Sequence, residues 1–182
     1  AQTIAGLPQE ALDWVPGEEM NSLGVLVTHT AGGERYWIGA VVGGQSVARD
    51  REAEFHTAGL DAAALQQKLA EAEGLALGVL ETLTPADLEA PRTVPRDGRQ
   101  TTVGAALAHI LSHTALHLGH MQMARQLWDK YVDIPGWLPK VEPTVGPASI
   151  VTLREVTAEN LFAVMKLSSA LNPAHKHMVA TN

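Results

Sequence analysis

The sequence predicts an all-α domain over residues 1–132, a linker over 133–148 and a short βα tail over 149–182. Hydrophobic residues make up 46% of the 182 residues but aromatic residues only 4%, which favours a core of aliphatic side chains. Apolar residues recur at the spacing of an α-helix in several long stretches. Prolines and glycines then break the helical pattern, and a β-prone run follows.

The first two predicted helices are interrupted by glycine and proline. Residues 1–20 close on the turn LDWVPGEEM, which predicts the end of a first helix, and we expect that helix to be truncated at its beginning. The second helix begins after an N-cap at Asn21 or Ser22, because short polar side chains accept hydrogen bonds from the first free backbone amides. Gly32-Gly33 weakens this helix in the middle, and Gly43-Gly44 ends it.

Two longer helices follow, over residues 61–83 and 103–130, because both stretches are rich in helix formers and free of proline. Residues 45–59 are polar and predict a loop. Residues 84–102 predict a short capped turn and then a loop that contains Pro and Arg. In the tail, residues 150–156 predict a strand and residues 158–168 a helix.

Composition limits the classes of function. Thirteen basic and twenty acidic side chains give a net charge of −7, which argues against binding to a nucleic-acid backbone. There is no cysteine, which excludes disulfides, thiolate ligands and a cysteine nucleophile. No apolar run approaches the roughly 18–20 residues of a membrane span. We therefore expect a cytoplasmic protein that acts on a small-molecule substrate, with no membrane or nucleic-acid partner.

Half of the eight histidines lie in the twelve residues HILSHTALHLGH, from 109 to 120. With about 100° per residue in a helix, His109, His113, His117 and His120 fall within about 80° of one another. Several neutral imidazoles side by side leave donors and acceptors to be satisfied, and a shared metal would resolve this cost.

The spacing i, i+4 places two rings close enough to share a metal ion. Both His109–His113 and His113–His117 have this spacing. A catalytic metal site usually has three protein ligands and an open position, so the third ligand must come from another helix. His29, in LVTHTAGG of the second helix, is the candidate. The alternative for any single histidine is an ordinary hydrogen-bonded side chain, which we expect for His56, His175 and His177.

LVTHTAGGERYWI, followed by DGRQTTVGAALAHILSHTALHLGHMQMARQLWD, resembles the DinB/YfiT-like superfamily of metal-binding four-helix bundles over most of residues 1–130. The resemblance implies a four-helix bundle in which His29, His113 and His117 bind a divalent metal. Two features differ from the family pattern. His120 stands where many relatives have Gln, and the first helix is shorter.

The resemblance also sorts the remaining side chains near the histidine stripe. His120 is expected to face the metal pocket as a catalytic residue that handles protons, or else to be a solvated histidine at the pocket mouth. We expect His109 to pack in the core or to support a ligand. Trp37 is expected in the core, Tyr36 in the core or the pocket wall, and Arg125 on the surface.

The tail VTLREVTAENLFAVMKL leading to HMVATN is similar to the beginning of a GNAT acetyltransferase of the spermidine-acetylating type. The glycine-containing loop that would bind acetyl-CoA has no match in the chain. This resemblance implies a chain cut from a longer bundle–acetyltransferase fusion, or a remnant of one. We do not expect acetyl transfer by this chain alone.

For the helical domain, the DinB resemblance implies a metal-dependent transferase or isomerase with a low-molecular-weight thiol, such as mycothiol, bacillithiol or glutathione, as cosubstrate. Three histidine ligands suit Zn, Ni or Fe about equally. A second hypothesis is metal-dependent hydrolysis, although Glu34, the nearest carboxylate in sequence, points away from the ligand face. A third is a non-catalytic, metal-stabilised bundle that dimerises or regulates an attached acetyltransferase.

Overall fold

The computed structural model describes residues 2–17 and 19–133 and confirms the all-α class. The predicted linker from residue 134 on and the βα tail lie outside these residues. No helix within the described ranges has the length and hydropathy that a membrane span requires. The part of the chain that the structure describes has five α-helices: α1 (Gln9–Asp13), α2 (Leu23–Glu34), α3 (Arg51–Phe55), α4 (Ala62–Leu80) and α5 (Val103–Tyr131). Turns of 3₁₀-helix occur at Gln2–Ile4 and Pro85–Glu89.

The three long helices begin at side-chain caps. Ser22 accepts a hydrogen bond from the amide of Val25, which confirms one of the two predicted caps of α2. Asp61 and Thr102 cap α4 and α5 in the same way, through the amides of residues 64 and 105. The helix α2 packs against both α4 and α5, so the bundle is built around it.

The helix α2 does not end at its paired glycines but continues as π-helix over Arg35–Val42. The amide of Gly43 donates to the carbonyl of Ile38, five residues earlier, at 2.9 Å. Together the two segments cover the predicted span from the cap at Ser22 to Gly43. Tyr36 and Trp37 are both buried in this π-helical segment, so the prediction that Trp37 belongs to the core is confirmed.

A short hairpin and a short helix occur where the sequence predicted loops. Strands β1 (Pro91–Thr93) and β2 (Gln100–Thr102) pair antiparallel, with Arg92 opposite Thr101. Their turn depends on Gly98, whose φ of +70° lies in the left-handed region that favours glycine. The second short element is α3, capped by Asp50 within the predicted loop 45–59. Elements of three to five residues are too short to produce a recognisable hydrophobic period.

The buried apolar side chains form two clusters, one toward each end of the bundle. One cluster contains Leu26 and Val27 of α2 and Met121 of α5. The other contains Tyr36 of the π-helical segment and Ile110 of α5. The three histidines proposed as ligands fall between these clusters on both helices. Polar side chains thus interrupt the core at one level of the bundle.

Gly43, which follows the π-helical segment, and Gly74, within α4, provide a paired test of this packing. A Cβ on Gly43 would lie 2.8 Å from Cγ2 of Val79 and 2.9 Å from the carbonyl oxygen of Gly39, whereas a Cβ on Gly74 would meet nothing within 4 Å. We expect Gly43→Ala to lower the free energy of unfolding by about 1–3 kcal/mol through overpacking. Gly74→Ala should raise it by about 0.5–1 kcal/mol, because it restricts the unfolded chain. Urea denaturation measures both changes, and equal effects would contradict the packing described.

Candidate metal centre

Two helices bring three histidines together. His29 projects from α2, while His113 and His117 project from adjacent turns of α5. Nε2 of His113 lies 3.2 Å from Nε2 of His29 and 3.2 Å from Nε2 of His117. One ring nitrogen from each residue lies within 4.8 Å of the other two. This is the only such group of three His, Cys, Asp or Glu side chains among the described residues.

The distances fit a divalent metal. With Zn–N bonds of about 2.0–2.1 Å, two ligands of a tetrahedral site have nitrogens about 3.3 Å apart. The two observed separations at His113 are each 3.2 Å. The three imidazoles can therefore hold a metal ion, which would leave further positions for water or substrate.

The outer face of His29 is fixed by a buried carboxylate. Nδ1 of His29 donates to Oε2 of Glu54 at 2.8 Å, and the side chains of both residues are only 7% exposed. Arg49 donates through Nε to Oε1 of Glu54 at 2.6 Å and through Nη2 to Oε2 at 2.8 Å. This arrangement matches the carboxylate–histidine pairs that orient metal ligands in proteins.

Burial favours the uncharged form of the two candidate ligands on α5, His113 and His117. Burial, together with repulsion from His117 and His29, lowers the pKa of His113 to about 4. Burial, with smaller effects of His29 and His120, also lowers the pKa of His117. Neutral imidazole is the form that coordinates a metal. Nδ1 of both residues is buried without a hydrogen-bond partner in the part of the chain that the structure describes.

The paired glycines of α2 leave room for these contacts. A Cβ on Gly32 would overlap Oε1 of Glu54 and lie 2.8 Å from its Cδ. A Cβ on Gly33 would lie 3.1 Å from Cε1 of His113. Glycine weakens a helix by roughly 0.5–1 kcal/mol relative to alanine. Here the absence of side chains on these glycines allows Glu54 to approach one side of α2 and α5 to approach the other.

His120, the predicted catalytic residue, is exposed beside the histidine cluster. Its ring centroid lies 5.5 Å from that of His117. It lines a cavity of about 350 Å³, with Leu26 of α2 and Met123 of α5 also in the wall. The structure thus places His120 next to a ligand candidate and at the edge of a cavity, while its role in catalysis stays a prediction.

Of the two alternatives predicted for His109, packing in the core is wrong, because the residue is exposed, and support of a ligand stays a prediction. Its ring packs on Trp37 at a centroid distance of 4.3 Å and lies 6.2 Å from the ring of His113. Arg125, predicted on the surface, is half-buried and binds Asp129 and the carbonyl oxygens of Thr3 and Ala5. It therefore ties the N-terminal segment to α5.

Sequence reasoning missed Glu54 and Arg49. Both lie in residues 45–59, which read as a polar loop. The cap at Asp50, three residues before the amide of Ala53 that it binds, could have indicated the short helix α3. No pattern in the sequence could have placed Glu54 against His29, which precedes it by 25 residues.

The fold and the cluster define a helical bundle with a candidate centre for a divalent metal. The family model of the DinB superfamily matches residues 1–121, more than half of the 182 residues. The chain therefore belongs to the DinB superfamily, and that resemblance is confirmed. No curated protein matches the sequence. The resemblance of the tail to acetyltransferases stays a prediction.

Proposed function

We propose that this protein is a divalent-metal-dependent enzyme that uses a low-molecular-weight thiol for S-transfer or isomerisation. The observation that carries the proposal is the convergence of His29, His113 and His117 from two helices at distances that suit one metal ion. A divalent metal held by neutral imidazoles would supply the positive charge that favours ionisation of a thiol. The thiol would be mycothiol, bacillithiol or glutathione, and the metal Zn, Ni or Fe.

Hydrolysis is the weaker proposal because the nearby carboxylates are unsuited to act as a base. Both oxygens of Glu54 already accept hydrogen bonds from Arg49, and one also accepts from His29. Burial, followed by repulsion from Glu73, raises the pKa of the half-buried Glu34, which alone would suit a base, but its place beside Glu73 of α4 argues against that role. This interaction is with α4, whereas the histidine cluster lies between α2 and α5.

The test begins with purified full-length chain. Elemental analysis should find about one divalent metal per chain, as expected for a single three-ligand site. After chelation and reloading with Zn²⁺, Ni²⁺ or Fe²⁺, consumption of each thiol is measured with a chromogenic aryl halide as electrophile. We expect metal-dependent conjugation with at least one thiol. Metal binding without conjugation or isomerisation would favour the non-catalytic bundle instead.

His120 provides a specific prediction within this proposal. Its place beside His117 and at the cavity edge suits a residue that transfers protons to or from the substrate. We expect His120→Ala to retain the metal and to slow thiol transfer by about 10²-fold, the lower end for acid–base catalysis, because the side chain is exposed. His120→Gln should also retain the metal.

His56→Ala is the control, since His56 is exposed and its ring donates to the carbonyl oxygen of Glu52. It should leave the rate unchanged. Loss of metal in His120→Ala would make His120 a fourth ligand. Unchanged rates in both His120 variants would remove it from the reaction.

A further inference from the structure

The short helix α3 approaches the histidine cluster from outside the two ligand-bearing helices. We propose that Glu54, held by Arg49, is a positioning residue that makes His29 a ligand through Nε2, and that metal binding and the docking of α3 stabilise each other. The inference rests on the metal site of the proposed function. It does not depend on which reaction that site performs.

The hydrogen bonds of Glu54 determine which nitrogen of His29 is free. Arg49 occupies both carboxylate oxygens as a two-pronged donor, a geometry that matches an ionised carboxylate. An ionised carboxylate only accepts hydrogen bonds, so the proton of His29 lies on Nδ1. The lone pair then lies on Nε2, the nitrogen 3.2 Å from Nε2 of His113.

Arg49 has a second effect, on charge. Its guanidinium balances the Glu54 carboxylate at hydrogen-bond distance, with side-chain exposures of 12% and 7%. The orienting carboxylate therefore adds little net negative charge beside the three imidazoles. With both oxygens held by Arg49 and one also by His29, Glu54 is kept out of the ligand set.

The docking of α3 depends on the same contacts. A helix of five residues does not form stably by itself. Apart from the Asp50 cap, α3 is held by Glu54 on His29 and by the ring of Phe55, whose centroid lies 4.8 Å from that of His29. Gly32 gives Glu54 the space to reach His29, as described above.

His29 is thus shared between the metal cluster and α3. A metal that fixes the ring of His29 would also fix the surface on which α3 packs. Thermodynamic coupling is reciprocal, so loosening α3 must weaken metal binding by the same factor. We therefore expect the carboxylate of Glu54 to affect both the affinity for the metal and the order of α3.

The experiment is a Zn²⁺ titration of the metal-free, full-length protein with a competing chelator, together with amide hydrogen exchange of residues 50–57. Glu54→Gln keeps the size of the side chain but cannot accept from Arg49 and His29 at once through two equivalent oxygens. We expect about 10–100-fold weaker Zn²⁺ binding, the usual effect of losing an orienting carboxylate. Zn²⁺ should slow exchange in residues 50–57 of the parent and have less effect in the variant.

Glu52→Gln is the matched control, because Glu52 lies on the same helix but its side chain is 83% exposed and does not contact His29. It should bind Zn²⁺ like the parent. Arg49→Lys keeps the charge but loses the two-pronged geometry, so it should weaken binding less than Glu54→Gln. If Glu54→Gln fails to fold, Arg49→Lys still tests the role of the carboxylate.

The inference would be overturned if the parent, Glu54→Gln and Arg49→Lys bound Zn²⁺ with equal affinity. It would also be overturned if Zn²⁺ did not change the rate of amide hydrogen exchange in residues 50–57 of the parent. Nitrogen-15 NMR of the metal-free protein adds a direct readout, since the proton of His29 should lie on Nδ1 in the parent. These results concern binding and not turnover. Absence of thiol transfer in a Zn²⁺-binding protein would refute the proposed reaction and leave this inference standing.

Discussion

Replacing His113 with alanine is expected to abolish metal binding. Nε2 of His113 lies 3.2 Å from Nε2 of both His29 and His117, so its loss removes the centre of the cluster. Losing an orienting partner of a ligand typically costs about 10–100-fold in affinity, and losing a ligand itself should cost more than about 100-fold. Elemental analysis should therefore show near-zero occupancy. His29→Ala and His117→Ala should also lower occupancy strongly.

His109→Ala is the control for this experiment. His109 lies one turn before His113 on the same helix, but it is exposed and packs on Trp37. It should retain most of the metal, and chelation should lower its melting temperature as in the parent. If His109→Ala loses as much metal as His113→Ala, the assignment of the ligands is wrong.

The second large effect is expected from Arg49→Met. This change removes the guanidinium and leaves the buried carboxylate of Glu54 without its main partner. Removing one partner of a buried ion pair costs roughly 3–5 kcal/mol in the free energy of unfolding. The double variant Arg49→Met/Glu54→Met should recover a large part of this loss, because no charge remains buried. Urea denaturation of the metal-free protein measures all three free energies.

The pH dependence of this loss follows from the pKa of Glu54. Burial acts to raise this pKa, but hydrogen bonds from Arg49 and His29 lower it below its ordinary value. The pair therefore stabilises the fold above the ordinary carboxyl pKa, and the contribution is lost as pH falls through the lowered value. Without Arg49, burial dominates and the carboxyl group protonates more readily. The destabilisation should be large at pH 7 and smaller near pH 4, and a pH-independent loss would contradict this account.

The helical fold could be read from local features. The predicted cap at Ser22 depends on residues three positions apart, and the long helices depend on periodicity within one segment. The clustering of His113 and His117 follows from the same helical geometry. The addition of His29 rested on its second-helix position and on the family resemblance.

The predictions of burial were wrong where the environment of a residue depends on distant parts of the chain. His109 shares the helical stripe with His113, but Trp37 of the π-helical segment meets its ring at the surface. The spacing of the four histidines predicts which face of α5 they share, but not which of them a neighbouring helix buries. That depends on how α2 packs against α5, which sequence spacing does not reveal.

The all-α class, the starts of the long helices and the face of α5 that carries the histidines follow from backbone hydrogen bonding and helical period, so the sequence is enough to predict them. The contact of Glu54 with His29 past Gly32, and the hold of Arg49 on that carboxylate, depend on how α3 packs on α2. These contacts join segments up to 25 residues apart through α3, a helix of five residues. So short a helix is stable only when packed, and it has no hydrophobic period, so the cap at Asp50 was its one local signal in the sequence.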